Sequence, residues 1–226
     1  MTPIAHIETP FKTKFGVPRQ PGLVDFEARI VFEPEYRVQE AVRGLEEFDY
    51  LWLIWQFHLN NSEFQIPNSE LSWSPTVRPP RLGGNKRVGV FATRSPFRPN
   101  PIGLSCVRLM RVERGPVLVV QGADLVDGTP IYDIKPYLPY ADCHPEARSG
   151  FATAAPALAL TVKDPEGLLM SIPSNLRDAL RQSLSQDPRP HYQEDSDRIY
   201  AILFDKWEIH FRVERSSVTI TSVKKS

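Results

Sequence analysis

Four stretches of the chain combine residue types that bind or react. Pro18-Arg19-Gln20-Pro21-Gly22 sets a guanidinium and an amide between two prolines. The fixed proline φ makes a stiff turn that holds those donors ready for a carboxylate or a base edge. An ordinary surface turn is the plainer reading of the same composition. From Arg78 to Gly103 runs RPPRLGGNKRVGVFATRSPFRPNPIG, where Arg78, Arg81, Lys86, Arg87, Arg94 and Arg98 are interspersed with prolines and glycines. That mixture suits phosphates and a closely approaching ligand backbone, with a solvated basic loop as the alternative. Its only aromatics are Phe91 and Phe97, thin support for base stacking. Asp124-Leu125-Val126-Asp127-Gly128-Thr129-Pro130 contains Asp-Gly, a hairpin signal, and two carboxylates that would line a pocket at a strand end. In Asp133-Ile134-Lys135, alternation puts Asp133 and Lys135 on one face of a strand. There they make a simple ion pair or, in a cleft, an acid/base pair.

The elements that must position these stretches read mostly as strands. Ile4–Thr9 and the alternating Phe26, Ala28, Ile30 and Phe32 have the period of half-buried strands. Tyr36–Val42 suits one or two helical turns. Tyr50–Phe57 is continuously apolar and aromatic, the pattern of a strand buried on both faces. Val88–Ala92, Ile102–Val112, Val117–Ala123 and Thr129–Lys135 follow, each bounded by Gly, Pro or Asp. Prolines make Trp73–Gly84 and Ser95–Pro101 stiff loops. Many short strands with no strand–long helix alternation predict a mainly β fold, a barrel or sandwich and not a doubly wound parallel sheet.

After about Ala154 the pattern changes. Ser174, preceded by Pro173, reads as a helix N-cap, and Leu176, Leu180 and Leu184 mark one helical face ended by Asp187-Pro188-Arg189-Pro190. Ile199–Phe204, Trp207–Val213 and Thr219–Val223 read as strands. The expectation is a main domain over 1–150 and a small α+β unit over 151–226 that docks on it.

Bulk properties bound the function classes. The 27 Lys plus Arg balance the 27 Asp plus Glu, which argues against polybasic-tail binding of nucleic acid. The balance is uneven along the chain: residues 25–70 hold ten acids and three bases, residues 71–123 nine bases and one acid. The basic middle is either a phosphate surface or is cancelled by the acidic stretch packed beside it. The two cysteines, Cys106 and Cys143, form no CxxC or Cys/His cluster, and the five histidines are scattered, so no metal is expected. The first ten residues lack a signal-peptide core, and the longest apolar run is far short of the ~20 residues of a membrane span, so a cytoplasmic protein is expected. GxGxxG, P-loop, HExxH and GxSxG patterns are absent from the sequence.

Together, PRQPG (Pro18–Gly22), TVRPPRLGGNKRVGVFATRSPFRPNPIGLS (Thr76–Ser105), DLVDGTPIYDIKPYLPYAD (Asp124–Asp142) and DPRP (Asp187–Pro190) closely resemble the TrmO/TsaA-like family of tRNA methyltransferases. The resemblance spans most of the chain, with Asn60–Ser72 as a segment of family-variable length. It implies a non-Rossmann β-barrel that binds S-adenosylmethionine, works as a homodimer and methylates N6 of threonylcarbamoyl-adenosine beside the anticodon of threonine tRNAs. The matching cofactor positions are Pro18, Arg19, Gln20, His58, Leu59, Arg94, Leu104, Asp124, Leu125, Val126 and Asp127. Beside the resemblance, carboxylates such as Asp124 or Asp127 would favour a sulfonium, and Arg19 or Arg94 would suit the cofactor's carboxylate. The acceptor N–H is a weak nucleophile that wants a base; Asp133 is nominated, with Lys135 orienting it or the substrate. Arg78, Arg81, Lys86, Arg87 and Arg98 then form the anticodon-arm surface, with Arg189 as a second contact. The alternatives are a cofactor-binding regulatory module, a methyltransferase of another RNA or small molecule, and an RNA-binding barrel.

Overall fold

The computed structural model describes residues 1–60, 73–83, 85–153, 160–189 and 195–226. Most of the variable segment 60–72, and Gly84 and Pro190 of the motifs, lie outside the described residues. In chain order the elements are β1 (Ala5–Glu8), β2 (Glu27–Phe32), β3 (Tyr50–Gln56), β4 (Thr76–Val77), β5 (Val88–Gly89), β6 (Ile102–Glu113), β7 (Val117–Gln121), β8 (Thr129–Pro136), α1 (Pro139–Asp142), β9 (Thr161–Lys163), α2 (Ser174–Ser185), β10 (Ile199–Phe204), β11 (Trp207–Glu214) and β12 (Ser217–Lys225). Short 3-10 turns cover Pro34–Tyr36 and Gln39–Val42, where one or two helical turns were expected.

Alternation builds the first layer. Ala28, Ile30 and Phe32 of β2, Leu118 and Val120 of β7, and Ile7 of β1 form inward stripes, and β7 also buries Val119 on its other face. Those stripes close into a six-stranded barrel in the order β1-β2-β7-β6-β3-β8, every neighbour antiparallel. Closure leaves no open edge. It also decides where the motifs go. Because neighbours alternate in direction, the connections β1–β2, β3–β6 and β7–β8 all emerge at the same end. They carry PRQPG, the basic stretch and DLVDG respectively, which brings sequence segments 100 residues apart to one rim.

The structure corrects the reading of β3. Leu51, Leu53 and Trp55 are buried, but Trp52, Ile54 and Gln56 are only partly covered and Tyr50 is exposed. The run is continuously apolar because its second face is an apolar outer wall, not because two layers sandwich it. Two smaller expectations also shift. Only Val88–Gly89 of the strand expected at 88–92 pairs, with β4, and Val90–Ala92 forms a 3-10 turn. Ser174 is the first residue of α2 rather than its cap; Pro173 stands at the cap with no side-chain hydrogen bond, and the Arg177 N–H donates to the Pro173 carbonyl at 2.9 Å. Proline has no N–H to leave orphaned, so it tolerates the position.

The second unit is a four-stranded sheet, β10-β11-β12-β9, with β9 parallel to β12 and the Ala179–Leu180–Leu184 face of α2 packed into its core. Residue 150, after which a division was expected, lies in the connection between α1 and β9. The two units share one apolar cluster. Phe11, fully buried, sets its ring edge-on to Phe26 of the barrel side at 5.2 Å and to Phe204 of β10 at 5.1 Å. Backbone bonds flank it: the Lys12 N–H donates to Leu203 O at 3.4 Å and the Asp205 N–H to Pro10 O at 2.6 Å. The second unit therefore meets the barrel at the motif-bearing end. Phe11→Ala removes the ring common to both cores and should cost about 3–5 kcal/mol, read in denaturant unfolding. A loss under about 1 kcal/mol would mean that the units pack independently of it.

Candidate cofactor site at the barrel rim

The site is built on close backbone contact. Gly22, closing PRQPG, donates its N–H to Gly122 O at 2.8 Å. Gly122 has φ +79, and a Cβ there would lie 3.2 Å from Gly22 N and Cα, so only glycine lets the PRQPG turn rest on the end of β7. Pro18 is buried as the anchor of that turn, and Arg19 and Gln20 face outward. Gln20 Oε1 accepts from Arg94 Nη1 at 2.7 Å, tying the first motif to the basic loop. Arg19 Nη2 donates to Asp187 O at 3.0 Å, tying it to DPRP in the second unit.

Beneath the rim lies a polar chain inside the barrel. Trp55 Nε1 donates to Ser105 Oγ at 2.9 Å, and Ser105 Oγ donates to Asp124 Oδ1 at 2.5 Å. Ser105 is fully buried and Trp55 nearly so. Gly103, across from Trp55 in the β3–β6 ladder, makes room for the indole; a Cβ there would stand 2.2 Å from the ring. Asp124 as a residue is only partly covered, but its carboxyl group is well shielded, and burial pushes its pKa up to about 6. Ser105's hydrogen bond and the positive charge of Arg94 pull the other way without cancelling that cost. A carboxyl group in a half-dry place with a shifted pKa marks a candidate ligand contact.

The other acidic residue of the motif is already engaged. Asp127 Oδ1 accepts from Thr9 N–H at 2.9 Å, and its Oδ2 pairs with Lys12 Nζ at 2.9 Å. Leu125 is wholly buried, and the Val126 carbonyl accepts from the Thr129 hydroxyl, so both help hold the hairpin. His58 and Leu59 are exposed just past β3. Lys14 Nζ donates to Leu59 O at 2.9 Å, and Asn60 Nδ2 to Pro96 O at 2.8 Å, which knits this turn to the rim loops. Partial burial lowers the His58 imidazole pKa below its ordinary value.

A second group stands apart. Leu104, 52% exposed, follows the interior Gly103 and precedes the interior Ser105, so its side chain points to the outer wall. Ile54 pairs with Leu104 on one side and Asp133 on the other, and Trp52 with Cys106 and Lys135, so these share that outer face. Asp133 and Lys135 pair at 3.0 Å, both substantially exposed. One chain thus brings Arg19, Gln20, Arg94 and Asp124 together, and sets Leu104, Asp133 and Lys135 on the wall facing away from Ser105. Cys106 lies on the same wall, its thiol pKa raised by burial and by Asp142.

The basic loop keeps its charge. Arg78, Lys86, Arg87 and Arg98 make no ion pair among the described residues, while Arg29 and Arg111 on the barrel side are bound by Glu8, Glu27 and Glu113. Arg81 is exposed on the same loop. Arg189, expected on an RNA surface, is instead partly buried, its fork closed on Asp187 at 2.8 Å through both Nε and Nη2. It buttresses the residue whose carbonyl holds Arg19. Sequence reasoning missed Trp55, Ser105 and Lys12. The available signal was a small hydroxyl in the inward stripe of β6, where every other inward residue is apolar or glycine. Among the described residues no group of three His, Cys, Asp or Glu is placed to hold a metal, and no helix is long and apolar enough to cross a membrane.

The raised pKa of Asp124 fixes a sign. The folded state holds that proton more tightly than the unfolded chain, so the group favours folding below the usual carboxylate range and loses that contribution as pH rises through about 6. Asp124→Asn keeps the acceptor for Ser105 without the charge. The thermal midpoint of the variant minus that of the native chain should grow from pH 4.5 to pH 7.5. A difference that stays flat across that range would show that the carboxylate bears no burial cost.

The model of the tRNA-methyltransferase O N-terminal domain matches residues 6–143, and that of the TrmO C-terminal domain matches residues 163–226. A tRNA (adenine(37)-N6)-methyltransferase of Escherichia coli is 44% identical over 222 residues, 93% of this chain and 91% of its own length. A Pseudomonas aeruginosa protein named as a putative S-adenosylmethionine-dependent methyltransferase, RcsF, is 40% identical over 229 residues, 95% of this chain and 93% of its own. The crystal structure of TrmO from Pseudomonas aeruginosa matches with a TM-score of 0.77 at 32% identity, over 99% of this chain and 96% of that one. With both halves matched in their proper order, the chain belongs to the tRNA-methyltransferase O family.

Proposed function

We propose that this chain transfers a methyl group from S-adenosylmethionine to N6 of the adenosine beside the anticodon in tRNA, with threonylcarbamoyl-adenosine as the acceptor in threonine tRNAs. The observation that carries the reading is the meeting of Gln20, Arg94 and Asp124 at one barrel rim, in a chain of this family. The residues fit the cofactor's chemistry. Asp124 makes no ion pair among the described residues, which suits a sulfonium. Arg94 and Arg19, already held by Gln20 and Asp187, suit a carboxylate with little further ordering. The cofactor supplies an electrophilic methyl group. The protein's contribution is to hold that methyl and the acceptor nitrogen in line, and to take the N–H proton.

Asp133 remains the proposed acceptor of that proton, with Lys135 as its orienting partner. Their place on the outer wall with Leu104 then requires a second copy of the chain, whose rim faces this wall. The wall supports the arrangement: Ile102, Leu104 and Met110 are exposed apolar side chains on β6. A homodimer whose sites each combine one rim with the other copy's wall follows. Arg78, Lys86, Arg87 and Arg98, which make no ion pair among the described residues, are proposed with Arg81 to hold the anticodon arm.

The first test supplies the purified protein with S-adenosylmethionine and two tRNA pools, with and without threonylcarbamoyl-adenosine, and reads digested nucleosides by mass spectrometry. A methyl gain on that nucleoside alone is expected; transfer to neither pool, with cofactor bound, would overturn the reading. Cofactor affinity should fall as pH drops below about 6, where Asp124 becomes neutral, and Asp124→Asn should bind roughly tenfold or more weakly at pH 8 and lose that pH dependence. Mixing inactive Arg94→Ala and Asp133→Asn chains should recover roughly a quarter of native activity, the statistical share of intact sites in a mixed dimer. No recovery from a mixture shown to exchange subunits would place the whole site within one chain.

A further inference from the structure

The longest rim connection carries an aromatic residue that no folding argument explains. Phe91 is 71% exposed, in a 3-10 turn whose neighbour Val90 is completely buried. A ring left that open to water buries little apolar area in the core. The ring is nevertheless organised. Trp73 stands 5.7 Å away at 40°, and the Arg98 guanidinium lies over the ring at 5.9 Å. The turn beneath is braced: the Val90 N–H donates to Pro75 O at 2.9 Å, Thr93 Oγ1 to Val90 O at 2.8 Å, and Arg98 Nη1 to Thr93 O at 3.1 Å. Phe97, 41% exposed, follows on the same loop.

The surroundings point to one class of occupant. From Trp73 to Val112 the chain has no Asp or Glu, while Arg78, Arg81, Lys86, Arg87, Arg94 and Arg98 all lie there. Arg87 is held by Thr76, Nε to Oγ1 at 2.8 Å, which fixes one charge beside the platform. An exposed flat ring on the loop of Arg78, Lys86, Arg87 and Arg98, which make no ion pair among the described residues, combines the two elements of single-stranded nucleic-acid recognition, stacking and phosphate attraction. A protein partner's apolar patch would not need the cations, and phosphate contacts alone would not need the ring. The platform also lies three residues from Arg94, which bonds Gln20 at the cofactor rim. We propose that Phe91, backed by Trp73 and overlaid by Arg98, is a stacking platform for an unpaired base of the substrate RNA, next to the adenosine that is methylated. This rests on the tRNA reading above and assigns the contact that draws one loop nucleotide out of its stack, where the basic side chains by themselves would bind any RNA backbone.

The test compares Phe91→Ala, Phe91→Trp and Lys86→Ala with the native chain, measuring tRNA binding without cofactor, methyl transfer, and the salt dependence of both. Phe91→Ala should weaken tRNA binding and raise KM for tRNA by roughly tenfold, with S-adenosylmethionine affinity, thermal midpoint and the salt slope unchanged. Phe91→Trp should restore binding, and Lys86→Ala should instead flatten the salt slope by about one. Phe91→Ala binding within twofold of native would overturn the proposal. So would a loss that accompanies a changed oligomeric state, which would make the ring an interface between copies. If the native chain binds tRNA but transfers no methyl, the function reading fails, and the platform is still judged by the binding series.

Discussion

The structure depends on a carboxylate in a place that disfavours it. Asp124 sits where burial pushes its pKa to about 6, and the groups around it follow from that constraint. Ser105 must donate to it from inside the barrel, so a hydroxyl occupies a stripe otherwise built of apolar side chains. The Ser105 oxygen must in turn be satisfied, and Trp55 reaches it with the indole N–H. The indole needs space, and Gly103 on the neighbouring strand leaves it. Each step trades packing for polar satisfaction, because a half-satisfied buried polar chain is worse than none.

Barrel closure converts that local arrangement into a site. An open sheet would let the three motif-bearing connections spread along its length. A ring of six antiparallel strands forces them to one end, because strand direction alternates round the ring. The second unit then acts at the same end. It holds Arg19 through the Asp187 carbonyl and is itself held by Phe11. The small C-terminal unit is thus part of how the rim keeps its shape, and not only an added surface.

Strand periodicity made much of this legible from sequence, for the physical reason that a pleated strand buries alternate residues. Phe26 to Phe32 and Trp207 to Val213 show that period plainly, and both are strands. Tyr50–Phe57 misled because apolarity on a second face has two causes, a second core layer or an uncovered wall, and the sequence alone does not separate them. The three-residue β9 and the four-residue α1 are too short to leave a period. At the site, the residue types in the motifs were readable but their division of labour was not. Asp124 and Asp127 stand three positions apart in one motif, yet Asp127 is committed to Thr9 and Lys12 while Asp124 accepts from Ser105 and makes no ion pair among the described residues. Those partners come from distant segments, as does Asp187, and spacing along the chain carries no trace of them.

The equal totals of acid and base conceal the more useful fact. Along the barrel side, Arg29 and Arg111 interleave with Glu8, Glu27 and Glu113, so their fields cancel within a few ångströms. Arg78, Lys86, Arg87 and Arg98 of the β3–β6 connection make no such ion pair among the described residues, because the sequence from Trp73 to Val112 is free of acids and its rigid prolines hold it on the rim. A field at a surface is set by the charges within about a Debye length, roughly 8 Å at physiological salt, and not by the sum over the molecule. A chain of zero net charge therefore presents a strongly positive rim at the one place where Asp124 is negative. That juxtaposition sets opposite fields side by side, so an anionic group would be favoured at the loop and a cationic one at Asp124.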